Sequence, residues 1–163
     1  MRSLTFLAVL LAPLGAITTP APARTNPWYD PSTNLYGTKS NDGTPPPCVF
    51  MAPEPNEEET HARFDKFADA FMVKRNLTEV FEYISSIYIN HNPLAKDGPD
   101  SALEVLGPIW NQLQITPIRR KFKRNMGWLD YKTNSSGEVV DRFRWKAGCI
   151  VEHWDQGEKF PEM

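Results

Sequence analysis

The first apolar run in the chain lies at positions 4–17, after a single positive charge at Arg2 and before a stretch of small residues. Ala21-Pro22-Ala23 forms a plausible cleavage triplet there. This layout is typical of a secretory signal peptide, and the run is too short to span a bilayer comfortably. A buried core helix is the alternative. We therefore predict a signal peptide over residues 1–23 and a secreted, extracellular protein.

The next segment, residues 24–56, is rich in Pro, Asn, Thr, Ser and Gly and has no sustained hydrophobic period. Its Pro45-Pro46-Pro47 run fits neither a helix nor a central strand. We predict an extended arm over 24–56. The remaining residues, 57–163, are too few for two ordinary domains, so they form one.

Helical periodicity begins just after this arm. Asn56 is a suitable N-cap, and the three glutamates that follow it favour the positive end of a helix dipole. Phe64, Phe67 and Phe71 then recur at helical spacing. These features predict a first helix that begins after Asn56 and buries its phenylalanine side.

Two more helices are predicted downstream. The second begins at Thr78 and carries an apolar stripe that extends to Tyr88. The third begins near Ser101, whose spacing to Glu104 is that of a capping box. Gly107-Pro108 should kink this third helix.

Beyond Pro117 the pattern changes to strands, predicted over 118–124, 126–131, 139–145 and 149–155. The last two form the clearest hairpin, joined by Lys146-Ala147-Gly148, in which Gly148 suits a positive φ. Helices first and strands afterwards predict an α+β fold, with helices packed against one face of an antiparallel sheet.

A three-residue loop in this hairpin would set Trp145 opposite Cys149 and Asp141 opposite His153. Because successive residues of a strand point to opposite faces, the side chains separate into two groups. One face carries Asp141, Phe143, Val151, His153 and Asp155. The other carries Arg142, Arg144, Ile150, Glu152 and Trp154, with an expected ion pair between Arg142 and Glu152.

The first of these faces carries candidate chemistry. It sets the His153 imidazole beside the carboxylates of Asp141 and Asp155, among apolar neighbours. An imidazole oriented by a carboxylate is a usable general base, and a half-buried carboxylic acid is a usable proton donor. The alternative is that Asp141 and His153 only satisfy each other on a wet sheet face.

A second imidazole, His91, follows the apolar stripe of the second predicted helix and should lie at the mouth of the space that the helices cover. Its alternative role is to cap a helix or to form a local hydrogen bond. Two imidazoles and two carboxylates could hold a metal ion. However, their spacing has no HxH or HExxH regularity, so we predict no metal site.

The composition narrows the function classes. With 18 basic and 20 acidic residues, the chain has no charge excess that would favour nucleic acid. It has no nucleophile elbow, P-loop or dinucleotide fingerprint. No stretch after the first apolar run is long enough for a membrane helix.

Residues that suit an exported protein are also present. Cys48 and Cys149 are the only cysteines, and an oxidising compartment favours a disulfide between them; two buried free thiols are the alternative. Asn76 and Asn134 both begin glycosylation sequons near the ends of predicted elements.

Two stretches resemble the SnoaL-like branch of the nuclear transport factor 2-like superfamily, named for a polyketide cyclase. The segment YINHNPLAKDG, at 88–98, is similar to the family's Y-I-x-H-N-P…D-G pattern. The segments VDRFR, at 140–144, and GCIVEHWD, at 148–155, are similar to its V-D-x-F-R…G-x-I-V-E-H-W-D hairpin. The likeness covers about residues 57–161.

This resemblance implies a curved antiparallel sheet wrapped by three helices into a cone around an apolar pocket. In the related ketosteroid isomerases, the position of Asp141 holds an acid that donates a hydrogen bond to the substrate oxyanion. The position of Asn92 holds the carboxylate base, and an amide cannot accept that proton, so His91 or His153 would have to serve. Asp155 or Glu158 is the nearest candidate for the acidic residue that SnoaL-like cyclases carry on their last strand.

The resulting hypothesis is a secreted enzyme that removes a proton beside the carbonyl of a small, mostly apolar compound, leading to cyclisation, isomerisation or dehydration. No cofactor is expected, because the pocket itself can move the proton and stabilise the enolate. The alternative is a non-catalytic module that binds an apolar ligand or a protein partner. The resemblance also implies a homodimer through the outer face of the sheet. The candidate catalytic residues are His153, Asp141, His91 and Asp155, and the candidate substrate contacts are Asn92, Phe143, Val151 and Trp110.

Overall fold

The computed structural model describes residues 46–162, together with the backbone of two short segments nearer the N-terminus. These segments are β1, Tyr29–Asp30, and β2, Leu35–Tyr36, which pair antiparallel. The predicted signal peptide and most of the predicted arm lie outside the described residues.

Five longer strands form one curved sheet in the order β3-β7-β6-β5-β4. Neighbouring strands are antiparallel except β3 and β7, which run parallel. The strands are β3 (Ile84–Asn90), β4 (Ile115–Lys123), β5 (Met126–Thr133), β6 (Gly137–Lys146) and β7 (Cys149–Trp154). The helices are α1 (Glu57–Ala68), which continues as a π-helical stretch over Asp69–Lys74, then α2 (Leu77–Phe81) and α3 (Pro99–Leu106). The predicted α+β class is confirmed.

Helix α1 begins where the sequence predicts. The Asn56 side chain accepts a hydrogen bond from the Glu59 amide, and the Glu59 carboxylate accepts one from the Asn56 amide, both at 2.9 Å. Phe64 and Phe67 are buried against the sheet. Gly127 allows this close approach, because a Cβ there would lie 2.5 Å from the Phe64 ring. The predicted start of this helix and its buried phenylalanine side are therefore both confirmed.

The second predicted helix is wrong beyond its first turn. Helix α2 ends at Phe81, and residues 84–90 form strand β3. Ile84 and Tyr88 are buried whereas Ile87 is 60% exposed, so the apolar stripe is not a single buried helix face. The β-branched and aromatic residues favour a strand here, and β3 completes the sheet by pairing with β7.

The third predicted helix is shorter than expected. It begins at Pro99, after Gly98, and the Ser101 hydroxyl accepts a hydrogen bond from the Lys96 amide instead of capping the helix. It ends at Leu106, so Gly107-Pro108 stops the helix and does not kink it. Gly107 itself keeps helical backbone angles, but Pro108 has no amide N–H to donate to the Glu104 carbonyl, so the helical hydrogen bonds stop there.

The hairpin β6–β7 has a tighter loop than predicted. Ala147 and Gly148 form a two-residue turn, both with positive φ, and Lys146 pairs with Cys149. A bulge in β7 then shifts the register, so that Phe143 and not Asp141 lies opposite His153. The shorter loop and the bulge together shift the pairing of β6 with β7 by two residues from the predicted register. A shift by an even number of residues keeps Asp141, Phe143 and His153 on one face.

Because of the bulge, the residues on the outer face also differ from the predicted set. Ile150 lies in the core opposite Trp145, because the bulge separates its face from that of the following residues. The predicted Arg142–Glu152 ion pair is wrong. Glu152 pairs instead with Arg144 at 2.5 Å, and Arg142 with Glu158 at 3.1 Å.

The predicted disulfide between Cys48 and Cys149 is present. The Cys48 amide also donates a hydrogen bond to the Ile84 carbonyl, and the Met51 amide donates one to the Ala147 carbonyl. The end of the predicted arm is therefore fixed to the closed end of the hairpin. Among the described residues, no helix has the length and apolar character that a membrane crossing requires.

Candidate functional site

A cavity of about 110 Å³ lies between the inner face of the sheet and the helices. Most of its wall is apolar and comes from α1, its π-helical continuation, α3 and the sheet. The polar groups come mainly from β3, β5, β6, the end of β7 and the loop after β3. They are Tyr88, Asn90, Asn92, Tyr131, Asp141, His153 and Asp155.

The centre of this polar group is a pair of side chains from the hairpin. His153 Nε2 lies 3.2 Å from Asp141 Oδ1, and the two side chains are only 12% and 6% exposed. The Tyr131 hydroxyl donates a hydrogen bond of 2.8 Å to Asp141 Oδ2. The sequence placed His153 and Asp141 together, and the structure brings them into contact inside the cavity.

Aromatic packing fixes the plane of the imidazole. The Phe143 ring stacks on His153 with centroids 4.9 Å apart, and Tyr88 lies nearly parallel to it at 6.4 Å. Both positions follow from the strands, because Phe143 lies directly opposite His153 and Tyr88 is two residues before Asn90, the β3 partner of His153. The His153 ring is therefore held edge-on to Asp141.

A second carboxylate, that of Asp155, lies at the end of β7. It accepts a hydrogen bond from the Asn92 side-chain amide and another of 2.6 Å from the Gln156 backbone. The Leu94 amide donates to Asn92 Oδ1 at 2.7 Å, which leaves the Asn92 NH₂ group to face Asp155. Asn92 and Asp155 thus border the same cavity as the His153–Asp141 pair.

Two tyrosines supply hydroxyl groups to the cavity. Burial, followed by the negative charge of Asp141, raises the pKa of Tyr131 well above its usual value of 10.0. Burial and the charges of Asp141 and Asp155 do the same to the pKa of Tyr88. Both hydroxyls therefore keep their protons. Within residues 46–162 no group is hydrogen-bonded to the Tyr88 hydroxyl, which is free to donate to a ligand.

Three of the predicted site residues lie elsewhere. His91 is on the outer face, where it bonds Glu152 at 2.8 Å and stacks on Trp154. Val151 is buried at the bulge, and Trp110 packs against Phe71 beside the cavity, but neither contributes to the lining. Asn92 and Phe143, the other two predicted contacts, do line it.

Sequence reasoning missed Tyr88, Asn90 and Tyr131 as site residues. The sequence pattern predicts Tyr88 on the apolar stripe of a helix, which conceals the alternation of Tyr88 and Asn90 along strand β3. Tyr131 lies on β5, where Leu129 pairs with Asp141 and Tyr131 is on the same face two residues later. Pairing β5 with β6 through the 134–137 turn would have found it.

The same polar group has the composition of a metal site. Asp141, His153 and Asp155 each offer one ligand atom, and these atoms lie within 4.8 Å of one another. One imidazole and two carboxylates suit a divalent cation such as Zn²⁺ or Mn²⁺. Hydrogen bonds from Tyr131 and Asn92 already hold the two carboxylates in place.

No model of a known protein family and no curated protein matches this sequence. Solved structures do match. AclR from Streptomyces galilaeus, whose assignment as a hydroxylase is provisional, is 13% identical, over 61% of this chain and 79% of its own, with a TM-score of 0.50. A SnoaL-like protein of unknown function from Burkholderia thailandensis is 11% identical, over 62% and 96%, also at 0.50.

A nuclear transport factor 2-like protein of unknown function from Mesorhizobium loti is 18% identical, over 66% of this chain and 97% of its own, with a TM-score of 0.50. Likeness at this level of identity concerns the fold. The matched region covers nearly the whole of the Burkholderia and Mesorhizobium proteins, so the match is to a complete domain.

Proposed function

We propose, from the premise that this chain has the SnoaL-like form of the nuclear transport factor 2-like fold, that its cavity catalyses proton transfer on a small apolar carbonyl compound without a cofactor. The observation that carries the proposal is the buried contact between His153 and Asp141 at one end of an otherwise apolar cavity. A desolvated imidazole–carboxylate pair can both accept and return a proton.

The reaction begins with removal of a proton from the carbon beside the carbonyl. His153 accepts this proton on Nε2, and the Asp141 carboxylate beside Nε2 balances the positive charge that forms on the imidazole. The Tyr88 hydroxyl donates a hydrogen bond to the carbonyl oxygen, where negative charge develops. The proton then returns to another carbon in an isomerisation or a ring closure, or to a departing hydroxyl in a dehydration.

The size of the cavity limits the substrate. At about 110 Å³ it is smaller than a cavity of ~150 Å³ that accommodates benzene. A compound with a single small ring, or an acyclic chain of similar size, fills it without large movements of the walls. The aromatic and aliphatic lining favours a substrate whose only strongly polar group is the carbonyl.

The cellular setting is part of the same proposal. We propose that the protein is exported, consistent with the bonded cysteines, and that it carries glycans at Asn76 and Asn134, which are both exposed. We also propose that two copies of the protein form a homodimer through the outer face of the sheet.

Exchange of carbon-bound hydrogen tests the chemistry without knowledge of the natural substrate. Cyclopentanone and cyclohexanone in D₂O, followed by proton NMR, report removal of the proton beside the carbonyl directly. The protein should accelerate this exchange over buffer, and His153→Gln should reduce the acceleration by ~10²–10⁴-fold, the usual contribution of a general base.

His91→Gln is the matched control, because it removes an imidazole from the outer face and should leave exchange unchanged. Equal exchange in the His153→Gln variant and the wild type would contradict the mechanism. Ketone binding with no exchange above buffer would favour the non-catalytic binding module.

A further inference from the structure

Asn90 lies beside the His153 ring, on the side away from Asp141. The parallel pairing of β3 with β7 sets Asn90 and His153 side by side. Asn90 Oδ1 lies 3.2 Å from His153 Nδ1, while Nε2 on the opposite side faces Asp141. Each ring nitrogen therefore has one polar partner.

The orientation of the Asn90 amide is fixed by the backbone. The Asn92 backbone amide lies 3.0 Å from Asn90 Oδ1 and can only donate. Rotating the Asn90 amide by half a turn would set its NH₂ group against that N–H, two donors facing each other. The atom that faces His153 is thus an acceptor, and Nδ1 must carry a proton to bond with it.

A proton on Nδ1 determines what the other nitrogen can do. In neutral imidazole only one nitrogen is protonated, so Nε2 then presents a lone pair to Asp141 Oδ1. Tyr131 already donates to the other carboxylate oxygen. Two acceptors 3.2 Å apart repel unless a proton lies between them, so the contact is favourable when Nε2 and Oδ1 share one proton.

We propose that Asn90 is a positioning residue that fixes His153 in the Nδ1–H tautomer, so that Nε2 and the Asp141 carboxylate act together on a single shared proton. In the proposed reaction the pair begins without a proton between Nε2 and Oδ1, and the proton taken from carbon becomes the one that these two atoms share. Only this last link rests on the proposed function; the tautomer itself follows from the hydrogen bonds.

Nitrogen NMR of the imidazole rings tests the tautomer directly. The chain has three histidines, so a His153→Gln variant identifies the His153 signals and leaves two as internal references. In neutral His153 of the wild type, the proton should lie on Nδ1. The charged or titratable groups around the ring are Asp141, Asp155, Tyr88 and Tyr131.

Two substitutions at Asn90 test whether the hydrogen-bond acceptor at this position sets the tautomer of His153. Asn90→Leu removes the acceptor, so neutral His153 should switch to the Nε2–H tautomer and donate to Asp141. Asn90→Asp restores an acceptor and should restore the Nδ1–H form. Asn111→Leu, at an exposed asparagine outside the cavity, is the matched control and should change neither.

Exchange of cyclohexanone hydrogen provides the second readout. Asn90→Leu should slow it by at least ~10²-fold, as expected when a base presents the wrong tautomer, and Asn90→Asp should recover most of the loss. An Nε2–H tautomer in the neutral wild type, or an unchanged tautomer in Asn90→Leu, would overturn the inference. Absence of exchange in the wild type would reject the proposed function while the NMR result stood.

Discussion

Two histidine–carboxylate pairs lie on opposite faces of the same strand, β7, and they differ in almost every physical respect. Glu152 and His153 are consecutive, so one points outward and the other inward. The outer pair, His91–Glu152, is 41% and 16% exposed, whereas the inner pair, His153–Asp141, is 12% and 6% exposed. The comparison separates an ordinary surface contact from a candidate catalytic one.

The outer carboxylate has a permanent cation beside it. Arg144 lies 2.5 Å from Glu152. Burial opposes ionisation, but hydrogen bonds from His91 and Arg144 outweigh it and lower the pKa of Glu152 below its usual 4.5. Among the described residues no arginine or lysine pairs with Asp141, whose partners are His153 and Tyr131. Only the inner pair depends on a mobile proton for its charge balance.

The largest expected effect comes from removing the carboxylate of the inner pair. Asp141→Asn should reduce ketone hydrogen exchange by ~10³-fold, because an amide can donate to His153 Nε2 but cannot share a transferable proton. Its oxygen can still accept from Tyr131, so the fold should persist. Exchange rates measured beside the circular dichroism spectrum of the variant check both statements.

Glu152→Gln is the matched substitution on the outer face, and it should leave exchange within about twofold of the wild type. A comparable loss in both variants would show that the two pairs do not differ in the way that their burial implies.

A smaller effect is expected from Tyr131→Phe. The variant removes one hydrogen bond to a buried carboxylate, which should lower the free energy of unfolding by about 1–3 kcal/mol. Because burial and the Asp141 charge hold the pKa of Tyr131 well above 10.0, the lost donor is a neutral hydroxyl at every pH of interest. Urea unfolding at neutral pH measures the cost.

Ser86→Ala, at an exposed β3 position, provides the control for Tyr131→Phe and should lower stability by less than ~0.5 kcal/mol. If Tyr131→Phe were equally mild, the hydroxyl would contribute nothing to the inner pair.

The sequence predicts the inner pair because strand parity tolerates the error in register. The predicted loop was one residue too long and the β7 bulge was not foreseen, yet the two errors add to a shift of two residues, which leaves His153 and Asp141 on one face. A bulge depends on local backbone geometry that no residue pattern here specifies. A shift of one residue would have separated the pair.

The residues around the pair were less predictable. Tyr88 and Asn90 have neighbours that fit a helical stripe as well as a strand, and only pairing with β7, some sixty residues later, decides between them. The long-range contact overrides local periodicity. The same ambiguity placed His91 at the mouth of the cavity, whereas in a strand its neighbour Asn90 faces inward.

The smallest expected effect concerns the pH dependence of stability from the outer pair. The folded-state pKa of Glu152 lies below the unfolded value of about 4.5, so its ionised form is stabilised by folding. This contribution is complete above pH 4.5 and is lost as pH falls through the folded pKa. For a pair so near the surface it should amount to about 0.5 kcal/mol.

Urea unfolding of the wild type and of Glu152→Gln between pH 3 and 7 measures it. The wild type should be the more stable at pH 7, and the difference should shrink towards zero at the acid end, because protonated Glu152 resembles glutamine in charge. High salt should reduce the difference at pH 7, since half-exposed charges are screened. A difference that grew on acidification would have the wrong sign for a lowered pKa, and would mean that Arg144 and His91 do not stabilise the ionised carboxylate.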